Sequence, residues 1–215
     1  MKREATELVF ILDKSGSMAG LESDTIGGFN SMLKKQREEN GECRVTTVLF
    51  DNRYTLLHDR IDIRAVSPMT EKEYFVGGST ALLDAIGRTI GKISAVQKNT
   101  AEDYRADKVI FIIITDGAEN SSREFSAKQV KNLIEREKEA HGWEFLFLGA
   151  NIDAVETAGR FGISADRAAD YVPDAHGTAL NYEAMCEAVS EFRACGTVSP
   201  RHMERIRKDK ASRGK

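Results

Sequence analysis

Asp13, Ser15 and Ser17 stand at alternate positions directly after the apolar run Leu8 to Leu12, in the order Asp-Lys-Ser-Gly-Ser. Each offers a small oxygen donor, and Gly16 between the serines allows the backbone a bend that turns all three toward one point. Hard oxygen donors gathered at the carboxyl end of a strand suit a hard divalent cation such as Mg²⁺. Two other stretches share this chemistry. Gly77-Gly78-Ser79-Thr80 ends a polar segment just before a helical pattern, and Thr115-Asp116-Gly117 follows Val109 to Ile114, the most apolar run in the chain. Asp13, Ser15, Ser17, Thr80 and Asp116 thus form a candidate set of five oxygen ligands drawn from three separated loops. Mg²⁺ takes six oxygens and usually keeps some waters, so five side chains leave a position for a ligand from outside. Two carboxylates offset the charge of the ion, and the open position favours an incoming carboxylate.

The elements that must position these groups alternate between two periods. Leu8 to Leu12, Val109 to Ile114 and Trp143 to Leu148 are uniformly apolar and read as strands buried on both faces of a parallel sheet. Cys43 to Phe50 and Tyr54 to Ile63, joined by Asp51-Asn52, read as a hairpin that adds one antiparallel edge. Ala168 to Val172 reads as a short edge strand. Helical spacing places Ile26, Phe29, Met32 and Leu33 on one inner face, and Leu82, Leu83, Ile86, Ile90 and Ile93 on a second. Val130, Leu133 and Ile134 follow a Ser126/Gln129 capping box. Ala154 to Phe161 suggests a short helix, and Met185, Ala188, Val189 and Phe192 mark a last one. Strand and helix in alternation predict an α/β fold with a doubly wound, mostly parallel sheet and helices on both faces. In such sheets ligands bind beyond the carboxyl ends of the strands, where the three loops lie.

At 215 residues the chain is long enough for one large core. Apolar residues make up 41% and charged residues 30%, with a net charge of −3, so no global attraction to nucleic acid or anionic membrane is expected. The sequence enters its first strand at once, so no signal peptide is expected, and no apolar run approaches the roughly 20 residues of a membrane span. Cys43, Cys186 and Cys195 match no zinc spacing and are expected as reduced thiols in a cytoplasmic protein. Periodicity vanishes from Thr197. Residues 201–215 hold seven Lys or Arg against Glu204 and Asp209, a local net of +5. Residues 1–196 are therefore expected as one domain and 197–215 as a basic, disordered tail.

The three motif parts, in this order and on these elements, resemble the metal-ion-dependent adhesion site of the von Willebrand factor type A domain family. The resemblance covers roughly residues 6–195. It implies a Rossmann-like domain that binds Mg²⁺ or Mn²⁺ and, through the ion, an acidic residue of a partner protein. By position, Asp13, Ser15, Ser17, Thr80 and Asp116 correspond to the family's metal-contacting residues, and the family is generally not enzymatic. The chain looks like the cytoplasmic bacterial type.

Alternatives differ in what they require. Phosphoryl transfer of the haloacid-dehalogenase type would use Asp13 as nucleophile, with Thr80 and Asp116 in supporting places, but it needs a second aspartate where Ser15 stands. Lys14 is open to three readings: an ammonium that opposes the cation, one that greets an anionic ligand, or a solvated loop lysine. His58, His141, His176 and His202 are scattered outside any motif. Asp24 and Asp84, near helix starts, complement helix dipoles. Glu119, Asn120 and the segment Glu71 to Tyr74 are expected to ring the metal face.

Overall fold

The computed structural model describes residues 4–213; residues 1–3 and 214–215, the outer ends of the expected domain and tail, lie outside the described residues. Strand β1 (Ala5–Asp13) is buried along its whole length, because it has a strand on either side and a helical layer on either face. β2 (Glu42–Phe50) and β4 (Lys108–Thr115) pair with it in parallel, setting Leu12 beside Leu49 and Ile114. β3 (Tyr54–Asp62) is antiparallel to β2, while β5 (Glu144–Gly149) and the short β6 (Ala168–Asp170) continue the parallel sheet beyond β4. The order β3-β2-β1-β4-β5-β6 is the doubly wound arrangement expected from the alternation of elements.

Alternate residues of β1 enter two separate cores. Leu8, Phe10 and Leu12 face helices α1 (Glu22–Glu38), α5 (Ala175–Cys195) and α6 (Arg201–Arg213), whereas Val9 and Ile11 face α2 (Leu82–Asn99), α3 (Ala127–His141) and α4 (Ala154–Arg160). The Ser126/Gln129 capping box forms as expected at the start of α3. Chain progress runs outward in one direction from β1 through β2 and in the other from β4 through β6. The reversal falls between β1 and β4, which is where such sheets open a crevice at their carboxyl ends.

Helix α6 replaces the disordered tail expected from Thr197 onward. Its apolar signal is sparse, only Met203 and Ile206 in a run of charges, yet both are buried in the same core as α1 and α5, with His202 beside them. Ion pairs complete the docking: Arg205 bonds Glu183 and Glu187, and Arg201 and His202 meet Glu191, all three acids lying along α5. Ser199-Pro200 was the start signal, since proline suits the first turn of a helix. Met203→Ala should accordingly cost about 2–5 kcal/mol in urea denaturation, the range for emptying a buried methionine site; a tail without packed structure would show no change.

Candidate metal centre

β1 and β4 are direct neighbours, so Asp13 at the end of one and Asp116 just past the end of the other come to the same rim. Both carboxylates are buried, each about 1% exposed, and burial raises the pKa of each above the usual aspartate range. Asp13 is held on both oxygens. Its Oδ1 accepts from the Ser15 N–H at 2.7 Å, and its Oδ2 accepts from the Thr115 hydroxyl at 2.5 Å. An ionised carboxylate has about four acceptor directions, so each oxygen retains a free lone pair. Asp116 is different: Oδ1 accepts from Ser17, while Oδ2 is buried without a partner.

A line of hydroxyls leads to Asp116. Thr80 Oγ1 donates to Ser15 Oγ at 3.0 Å, and Ser15 Oγ stands 3.1 Å from Ser17 Oγ, which in turn reaches Asp116. All five sequence-predicted residues are therefore brought together. Oxygens on adjacent corners of an octahedral shell at 2.0–2.1 Å from an ion stand about 2.9 Å apart. The Thr80–Ser15 and Ser15–Ser17 spacings match such an edge, and the orphaned Asp116 oxygen supplies an uncommitted anionic donor. Among the described residues no group of three or more His, Cys, Asp or Glu that could hold a metal is found, so the rim's donors are two carboxylates with hydroxyls beside them.

Backbone shape preserves the space. A Cβ on Gly117 would lie 3.0 Å from Ser17 Oγ and 3.2 Å from Thr80 Oγ1, pressing on two of the donors. Gly78 has a left-handed φ of 75°, and a Cβ there would meet the Asn52 side chain at 2.4 Å. Gly16, expected to supply the bend, does not adopt positive φ; the turn is made by a 3-10 segment at Gly16–Met18 instead.

Several residues that the sequence reading named take other roles in the structure. Tyr74 is buried, not on the rim surface, and its hydroxyl donates to the Asp13 carbonyl at 2.5 Å. Asn120 Oδ1 accepts from the Thr80 N–H at 2.9 Å, which fixes the loop ahead of α2. Glu119 accepts from the N–H groups of Leu83, Ser121 and Ser122, so it serves the start of α2 as an anionic cap. Asp84 gathers the N–H groups of Arg123, Glu124 and Phe125, a larger task than complementing a dipole. Lys14 is neither solvated nor aimed at the ion position: its ammonium is buried in an ion pair with Asp51 at 3.1 Å. Among the histidines, His58 bonds Thr47 and His202 bonds Glu191, and neither contributes to the rim.

Ser15 occupies the position where phosphoryl transfer of the haloacid-dehalogenase type would need a second aspartate.

The fold is that of the von Willebrand factor type A domain, and it carries at its crevice a cluster of three hydroxyls and two carboxylates. No protein-family model and no curated protein matches the sequence. Solved structures do. A von Willebrand factor type A protein from Catenulispora acidiphila superposes with a TM-score of 0.59 at 14% identity, covering 87% of this chain and 43% of its own. Proximal thread matrix protein 1 from the mussel byssus, solved with a zinc-occupied adhesion-site motif, gives 0.60 at 15% identity, with 86% and 46% covered. The manganese-loaded TRAP protein of Plasmodium vivax gives 0.53 at 19%, with 75% and 62% covered. The chain spans about half the length of these structures. Among the described residues no helix is long and apolar enough to cross a membrane.

Proposed function

We propose that the rim binds one Mg²⁺, with Mn²⁺ as a substitute, through Asp13, Ser15, Ser17, Thr80 and Asp116, and that the ion recruits an acidic residue of a partner protein. The chain then acts as a metal-dependent protein-binding module, not an enzyme. The observation that carries this reading is the hydroxyl line at octahedral-edge spacing ending on a buried carboxylate oxygen with no partner. An unpaired buried anion is costly, and a divalent cation is the simplest group that would offset it. The solved structures of like fold, one loaded with manganese and one with zinc, support divalent binding at such a rim. A cytoplasmic setting, of the bacterial type, belongs to the same reading and draws on three free cysteines. Calorimetric titration with Mg²⁺ should show one site in the wild type and none in Asp116→Ala. Heat of binding that survives unchanged in that variant would move the ion elsewhere. The wild type should also leave a generic aryl phosphate untouched in Mg²⁺.

A further inference from the structure

Three large apolar side chains are at least a third exposed among the described residues: Leu56, Phe75 and Tyr104. Phe75 alone belongs to the loop that carries Thr80. That loop is stitched to the Asp13–Gly16 turn at successive points. Tyr74 bonds the Asp13 carbonyl, Gly77 N–H donates to the Lys14 carbonyl at 2.9 Å, Gly16 N–H donates to the Gly78 carbonyl at 3.1 Å, and Thr80 meets Ser15. Phe75 falls between the first two of these ties, so its backbone cannot leave the rim.

Its ring is held as well. Lys14 Nζ lies 4.4 Å from the ring centroid, with the Asp51 carboxylate at 3.1 Å on the same ammonium. Asp51 is itself fixed, accepting from the Arg53 N–H at 2.6 Å and, through its carbonyl, from Ala81. A desolvated ammonium beneath an aromatic face is an attractive contact. The ring therefore roofs a buried ion pair while 59% of the residue stays open to solvent. Because Asp51 neutralises Lys14, that ammonium is not free to meet a second acid. Phe75 offers an aromatic surface that is already ordered, so a partner group seated there loses little additional freedom.

We propose that Phe75 is a specificity-determining anchor, and that the partner segment carries its acidic residue directly beside an aromatic one: the carboxylate goes to the ion and the ring packs on Phe75. This rests on the metal-dependent reading above. The probes are three acetylated tetrapeptide amides, titrated by NMR with Mg²⁺ present: aspartate followed by serine, aspartate followed by phenylalanine, and phenylalanine followed by aspartate. All three should bind wild type only with Mg²⁺, and one aromatic peptide should bind about three- to tenfold tighter than the serine peptide, the range of an aromatic pair. Phe75→Ser should bind Mg²⁺ and the serine peptide as wild type does, yet lose the aromatic gain. Equal affinities for all three peptides in wild type, or a gain that persists in Phe75→Ser, would overturn the anchor and leave metal-dependent recruitment standing. Absence of Mg²⁺-dependent binding for every peptide would instead remove the recruitment reading and the anchor with it.

Discussion

Asp13→Ala and Asp116→Ala should both abolish Mg²⁺ binding, but only Asp13→Ala should also destabilise the metal-free fold, by about 2–4 kcal/mol. The asymmetry follows from what each carboxylate holds. Asp13 accepts buried hydrogen bonds from Ser15 N–H and Thr115 Oγ1, and removing it strands both donors at roughly 1–3 kcal/mol each. Thr115 has a partial fallback on the Gly117 carbonyl at 3.2 Å, which keeps the sum below its upper limit. Asp116 accepts only from Ser17, a residue open to water, and its other oxygen is buried unpaired. Deleting either aspartate also removes a desolvated charge, but that relief is set against one hydrogen bond at Asp116 and against two buried ones at Asp13. Urea denaturation without Mg²⁺ tests the pair: equal losses would mean that Asp116 has a structural partner. With Mg²⁺ at a hundredfold excess over its Kd, the wild type should gain about 2.7 kcal/mol that neither variant gains.

Arg60→Ala should destabilise the fold by about 3–5 kcal/mol near neutral pH, the cost of breaking a buried ion pair from one side. Glu7 lies within β1 and is fully buried; its Oε2 accepts from Arg60 Nε at 2.9 Å and its Oε1 from Thr46 Oγ1 at 3.1 Å. Burial still raises the Glu7 carboxyl above the usual glutamate range, with Arg60 the main opposing influence. A raised carboxyl holds its proton more tightly folded than unfolded. The stability it contributes is therefore complete below the ordinary glutamate value and falls as pH rises through the folded one. Loss of Arg60 pushes the folded value higher still and widens that window. The deficit of Arg60→Ala should consequently shrink on acidification from neutral pH toward the ordinary glutamate range, as protonation neutralises the orphaned carboxylate. A deficit that stays constant with pH would show that Arg60 acts through packing alone. Replacing both partners, as in Glu7→Gln with Arg60→Met, should recover much of the loss.

The same pair marks where sequence reading stops. Glu7 precedes an apolar run, and Arg60 is one of many basic residues; nothing in their spacing joins them. They meet because β3 carries extra residues opposite β2 around Thr47, and Arg60 takes a left-handed φ of 51° there, which turns a residue of an edge strand inward. The buried Lys14–Asp51 pair is likewise tertiary, since it depends on β1 and β2 ending side by side, as the Asp13–Phe50 register shows. Helix α6 was hidden because two apolar residues among many charges fall below any periodic signal, although the core they complete is real. By contrast, the alternation of buried strands with amphipathic helices was local, and it sufficed to predict the doubly wound sheet. That Asp13, Ser15, Ser17 and Asp116 share one rim was legible too, because a parallel sheet delivers the residues after its apolar strands to one edge whatever their separation in the chain, and Thr80 joins them from the loop ahead of α2. What only the folded molecule decided is which polar groups beside that edge are already spoken for. Glu119, Asn120, Tyr74 and Lys14 are bound to their neighbours, while one Asp116 oxygen and one face of Phe75 are not. Hydrogen-bond partnership is a property of three-dimensional distance, and residue type and spacing carry no record of it.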